Sequence, residues 1–305
     1  MNRTRRGPMG LGAAILFLCA GSAKADSLTI TLTQSSIQPG EPIIVLCRLM
    51  MSDAPAQEPY RRGLRLAQRL TCRLRADDGA IAEFPNAMRP KYRSLSDANG
   101  SYEALDAFFL PDLSQRPARL FTKPGTYSLT LVEDYHSPDA VISNSVTLAI
   151  ESPNTAFDAY SRLPLRDMLN IPTGDPINGE AIPILEQFRN DHPDSPLARY
   201  AAAAIALDDY HKHHRSRFDP SHEPVDWNSK SRELARCAAA LPSPSPLAEQ
   251  LSIAALISQG FGAGNKLNSQ KAAELRDRCH SAAAVETLKL LEAKAVANPP
   301  AASRP

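Results

Sequence analysis

Ala181–Tyr210 reads AIPILEQFRNDHPDSPLARYAAAAIALDDY, and its rhythm sets the architecture of the second half of the chain. Ile182, Leu185 and Phe188 recur at helical spacing, with Glu186, Gln187, Arg189 and Asn190 turned away. His192-Pro193 ends that run, because the residue before a proline is pushed out of the α region. Ser195 then offers an N-cap and Pro196 the first helical position. Leu197, Ala201, Ala204, Ile205 and Leu207 follow at helical spacing, and the alanines let a neighbouring helix approach closely. The stretch predicts two helices joined by a Pro-Asp-Ser corner. It supplies a scaffold and a surface, but no chemistry.

The pattern, with Phe188 five residues before Pro193, resembles the corner between units of tetratricopeptide-like repeats in bacterial envelope proteins. The resemblance covers about 30 residues and one corner, whereas at least three units usually build a continuous repeat core. An ordinary helical hairpin in an α-bundle is the alternative reading.

Outward from this corner, the N-terminus carries an address. Arg3, Arg5 and Arg6 precede a short apolar run, Leu11–Ala20, and Ala23-Lys24-Ala25 offers a small-x-small cleavage site. Residues 1–25 therefore read as a secretory signal, with Sec and twin-arginine export left open. The run is too short to span a bilayer, and no later stretch is apolar for 18 residues. Without residues 1–25 the chain holds 30 basic and 33 acidic residues, a balance that gives no bulk attraction to nucleic acid. The remaining 280 residues suit two domains.

Residues 26–152 have period two. Leu28, Ile30 and Leu32 alternate with threonines, Gln38-Pro39-Gly40-Glu41 makes a turn, and Ile43, Val45, Cys47, Leu49 and Met51 share a face. Leu64, Leu66, Leu70, Cys72 and Leu74 alternate with arginines, Gly63–Arg69 being compatible with helix as well. Asp78-Gly79 marks a hairpin, and later strands include Tyr127, Leu129 and Leu131, then Val146, Leu148 and Ile150. About seven short strands predict a β-sandwich. Pro124-Gly125-x-Tyr127 resembles the late strand of bacterial immunoglobulin-like domains, which implies an adhesive or spacer module. Cys72 stands too early for the second sheet-bridging cysteine of antibody-type domains, and Trp227 lies outside the region.

Residues 153–297 switch to helical periodicity, with helices expected over 156–169, 179–190, 196–214, 227–240, 247–260 and 269–297; residues 298–305 form a tail. The fold class expected is all-β plus all-α in two domains, an immunoglobulin-like sandwich followed by a helical, tetratricopeptide-like domain. Cysteines outside the leader fall one pair to each half, so Cys47–Cys72 and Cys237–Cys279 are the expected disulfides of an exported chain, with buried thiols as the alternative.

His211, His213, His214, His222 and Glu223 form the densest group of metal-type ligands. Only His211 and His214 have a useful i, i+3 spacing, and Lys212, Arg215 and Arg217 oppose a cation. His211, His214 and His222 are thus metal candidates set against a solvated helix end, where basic groups face the negative dipole. The arginines between 61 and 93 form a possible anionic-surface contact or a solvated strand face. Acid pairs such as Asp208-Asp209 are adjacent, not opposed across a cleft. G-x-S-x-G, H-E-x-x-H and phosphate-loop patterns are absent from the sequence.

These readings converge on an exported, periplasmic or extracellular, non-catalytic binding or scaffold protein. Its expected partner is a protein or peptide of the cell envelope, with Phe188, Tyr200 and Tyr210 as candidate anchors, no cofactor, no nucleic acid and oligomeric state open. The rival readings are an envelope hydrolase with a metal near His211–Glu223, and a carbohydrate- or surface-binding sandwich.

Overall fold

In the computed structural model, β1 (Ser27–Leu32) buries Leu28 and Ile30 and exposes Ser27, Thr29 and Thr31, as its alternation requires. The structure describes residues 27–39, 41–50, 70–85, 93–96, 102–107, 124–133, 140–152, 155–160, 162–163, 167, 171, 174–216, 224–243, 245–264, 266–279 and 282–297. The expected signal segment, the arginines 61–69, His222, Glu223 and the tail lie outside them.

Two sheets form. The first has the order β1, β3 (Val45–Met50), β7 (Tyr102–Ala107), β6 (Arg93–Ser96). The second runs β2 (Ser36–Ile37), β10 (Val146–Ile150), β8 (Gly125–Glu133), β4 (Leu70–Ala76), β5 (Ile81–Pro85), with β9 (Val141–Ile142) paired to β8. Register places Cys72 opposite Leu131, Leu74 opposite Leu129, and Leu148 opposite Tyr127, and all six are buried. Asn144 ties the sheets together. Its Oδ1 accepts from the Ile30 N–H at 2.7 Å and its Nδ2 donates to the Ile30 carbonyl at 3.0 Å, standing in for a strand neighbour.

Among the described residues the helices are α1 (Thr155–Tyr160), α2 (Ala181–Asp191), α3 (Pro196–Ser216), α4 (Trp227–Ala240), α5 (Pro246–Gly262), α6 (Ser269–Arg278) and α7 (Ala282–Ala297). The α2–α3 corner follows its sequence signals, with Ser195 Oγ accepting from the Leu197 N–H at 3.2 Å. Two helical predictions change. The helix expected over 156–169 stops at Tyr160, and the one expected over 269–297 breaks at Cys279, whose backbone is extended (φ −79°, ψ 143°). Hydrophobic α5 is buried on several sides. Leu247, Leu251, Ala254 and Ala255 join the core of α1–α4, whereas Ile253 and Leu256 join a second core with α6 and α7.

The expectation of an all-β plus all-α pair headed by an immunoglobulin-like sandwich is overturned. The molecule is mixed α/β, and its larger sheet combines antiparallel pairing with a parallel pair, β2 with β10. Period two reveals which side chains face inward, but not strand direction. The two halves also meet directly. Glu41, buried at the turn before β3, accepts from the Gln38 N–H through Oε2 at 2.7 Å. Its Oε1 accepts from Arg199 Nη2 of α3 at 2.5 Å.

The expected disulfides are corrected too: Cys72, Cys237 and Cys279 are free, buried thiols. Cys237 sits in the first helical core and Cys279 in the second, so lying in the same half of the chain did not bring them together. Among the described residues, no helix is long and apolar enough to cross a membrane.

Candidate functional site

A broad groove of about 670 Å³ lies where α4 and α6 both pack on α5. Helix α4 starts firmly, because Asp226 Oδ1 accepts from the Asn228 and Ser229 N–H groups, each at 3.1 Å. It buries only Leu234 and Cys237, which leaves Ala235 and Ala239 outward toward the groove. Ser245 Oγ caps α5 by accepting from the Ala248 N–H at 3.2 Å, with Pro246 in the first turn. Ser231 Oγ donates to the Ala255 carbonyl at 2.8 Å and fixes the α4–α5 wall. On the other side, Asn268 caps α6, and Lys271 Nζ donates to Gln259 Oε1 at 3.2 Å. The floor is Ala238, Ala248, Ala255 and Leu256; Arg232, Lys271, Glu274 and Arg278 stand at the edges.

Small apolar groups beneath and charged groups above can seat a polypeptide and fix its register. Glu249, buried in the first turn of α5, is compatible with the positive end of that helix. Burial, seconded by Glu233, raises the Cys237 thiol above its usual value, which removes it as a nucleophile near neutrality.

A second, smaller cleft of about 150 Å³ is lined by His211, Arg215, Asp208, Ile177 and Gly174. Gly174 is held at φ +67°, and a Cβ there would meet Gln250 Oε1 at 2.8 Å. Desolvation, then Arg215, lowers the His211 pKa against the opposing pull of Asp208. Asp208 is itself paired with Lys212 at 2.6 Å.

Of the candidate metal residues, His222 lies outside the described residues, and the rings of His211 and His214 both pack on Tyr210, at 5.3 and 5.4 Å. His211 faces this cleft, and the His214 ring lies 5.6 Å from Phe261, which in turn meets Trp227 edge-on at 4.9 Å. His213 Nε2 instead reaches Asp209 Oδ1 at 3.2 Å, while Asp209 Oδ2 pairs with Lys230 of α4. Among the described residues, no three His, Cys, Asp or Glu side chains converge as a metal set.

The aromatic anchors are also placed inside. Phe188 packs edge-on to Tyr160 at 5.4 Å, and Phe188, Tyr200 and Tyr210 are all buried. Arg73 of the arginine face is paired with Glu83 at 2.9 Å, whereas Arg75 is exposed. The groove went unread because its alanines resemble ordinary helix-formers. The signal was their placement: Ala235 and Ala239 avoid the Leu234–Cys237 face.

Fold and site together define a mixed α/β protein whose helical half presents an open, small-residue groove. No protein-family model matches the sequence, and no curated protein shows significant similarity to it.

Proposed function

We propose that this chain is an exported, non-catalytic binding or scaffold protein that recognises a protein or peptide partner in the cell envelope through the α4–α5–α6 groove. The observation that carries the reading is the groove itself: open, floored by alanines and edged by charge. Its size suits a polypeptide segment, since recognition sites of this kind combine apolar seats with a few polar groups. The leader-like residues 1–25 and the tetratricopeptide-like α2–α3 corner support the same reading.

A photo-crosslinking residue at Ala239, on the groove, should trap a discrete partner in intact cells, whereas one at the exposed Thr31 of β1 should not. Adducts formed equally from both positions, or from neither, would overturn the assignment. Cell fractionation and N-terminal sequencing test the export reading, with a mature chain beginning at Asp26 expected.

A further inference from the structure

We infer that the groove takes an acidic peptide segment, laid along α5 with short apolar side chains on the alanine floor and carboxylates against Arg232, Lys271 and Arg278. The inference rests on the peptide-recognition reading and adds the chemistry of the occupant.

The charges carry it. Arg232 stands on the α4 wall, and Lys271 and Arg278 stand on the α6 wall, so cations flank the floor from both sides. Arg232 and Arg278 are exposed and have no hydrogen-bond or ion-pair partner among the described residues. Four other cations of the helical half are held by carboxylates, Arg199 by Glu41, Lys212 by Asp208, Lys230 by Asp209 and Arg276 by Glu292, so the groove edge carries charge that those sites neutralise. Among the described residues Lys271 Nζ bonds the neutral amide of Gln259 and forms no ion pair.

Two acids also line the groove and must be weighed. Glu249 is buried at the N-terminal turn of α5, where the helix end offsets it, so an occupant meets little of its charge. Glu274 is exposed and accepts from Gln270 Nε2 at 2.9 Å. The edge that an occupant would touch therefore carries three cations and one carboxylate. Carboxylates bound between these walls would accept charge-assisted hydrogen bonds, the guanidiniums donating in bidentate fashion.

Polypeptide suits the groove better than nucleic acid. Among the described residues no aromatic side chain lines it to stack a base. A 17-residue helix such as α5 is about 25 Å long, which an extended segment of roughly seven residues would match.

The test uses the full chain and three fluorescein-labelled peptides of equal length. They share the same alanines and leucines and carry glutamate, glutamine or lysine at the remaining positions; a labelled oligothymidylate is the fourth probe. The glutamate peptide should bind tightest and weaken with salt. Arg232→Glu and Arg278→Glu, each checked for native circular dichroism, should weaken it by roughly tenfold and improve the lysine peptide. Equal binding of the glutamate and glutamine peptides, unmoved by either variant, would overturn the acidic preference and leave peptide recognition standing. Failure of all three peptides would sink both. Tighter binding of the oligothymidylate than of the glutamate peptide would overturn the inference in favour of a nucleic-acid occupant.

Discussion

Glu41 links the strand half of the chain to its helical half. It is buried at the turn between β2 and β3 and receives one backbone N–H and one arginine of the helical half. Glu41→Ala would strand the Arg199 guanidinium, whose Nε already lacks a partner, in a largely desolvated place. A loss of about 2–3 kcal/mol is expected, at or below the lower end of the range for broken buried pairs because Arg199 keeps some solvent. Pairing Glu41→Leu with Arg199→Met should recover most of it, as read from urea midpoints. His211 offers a test by acidity. Its pKa is lowered, so the unfolded chain binds a proton first as pH falls through the ordinary imidazole value of 6.5. Stability contributed by the neutral ring is therefore complete above that value and is lost below it. His211→Leu should flatten the fall in stability between about pH 7 and pH 5. Gly174→Ala should cost about 1–3 kcal/mol, because φ +67° strains any side chain there and Gln250 occupies the space.

At the level of elements, caps and corners were legible and junctions were not. Ser195-Pro196 begins α3 where the sequence placed it, because a cap acts on its own neighbours, and Ser245-Pro246 begins α5 one residue before the expected 247. Ser195→Ala should lower stability by about 1 kcal/mol in a denaturant titration. The break between α6 and α7 was invisible for a specific reason. Ala272, Cys279, Val285 and Leu288 all remain buried on either side of it, so the apolar stripe runs on through the interruption. Strand faces were equally readable: Leu28, Ile30, Leu148 and Ile150 point inward as alternation demands. Strand partners were not, since the β2–β10 pairing joins residues more than a hundred positions apart and alternation carries no direction. The groove escaped notice because a concavity is a relation among α4, α5 and α6, whereas each alanine separately reads as a good helix-former.

Across the whole molecule, α5 binds two cores into one helical body. Ile253 and Leu256 meet α6 and α7, while Leu247 and Leu251 meet the helices before it. Truncation before α6 would expose the former pair, and a chain ending there should aggregate or melt in two steps. Thiol chemistry gives a second global test. Cys72, Cys237 and Cys279 should all react with a maleimide in the denatured, unreduced chain, yet react slowly in the native one because all three are buried. Protection of any of them under denaturing conditions would contradict the free-thiol assignment. The sequence contains a single tryptophan, and Trp227 leans on Phe261 across the first turn of α4 and the last of α5. The chain thus carries its own optical gauge: emission from that one indole reports on the packing of the start of α4 against the end of α5, so parting of those two ends can be followed without attaching a dye.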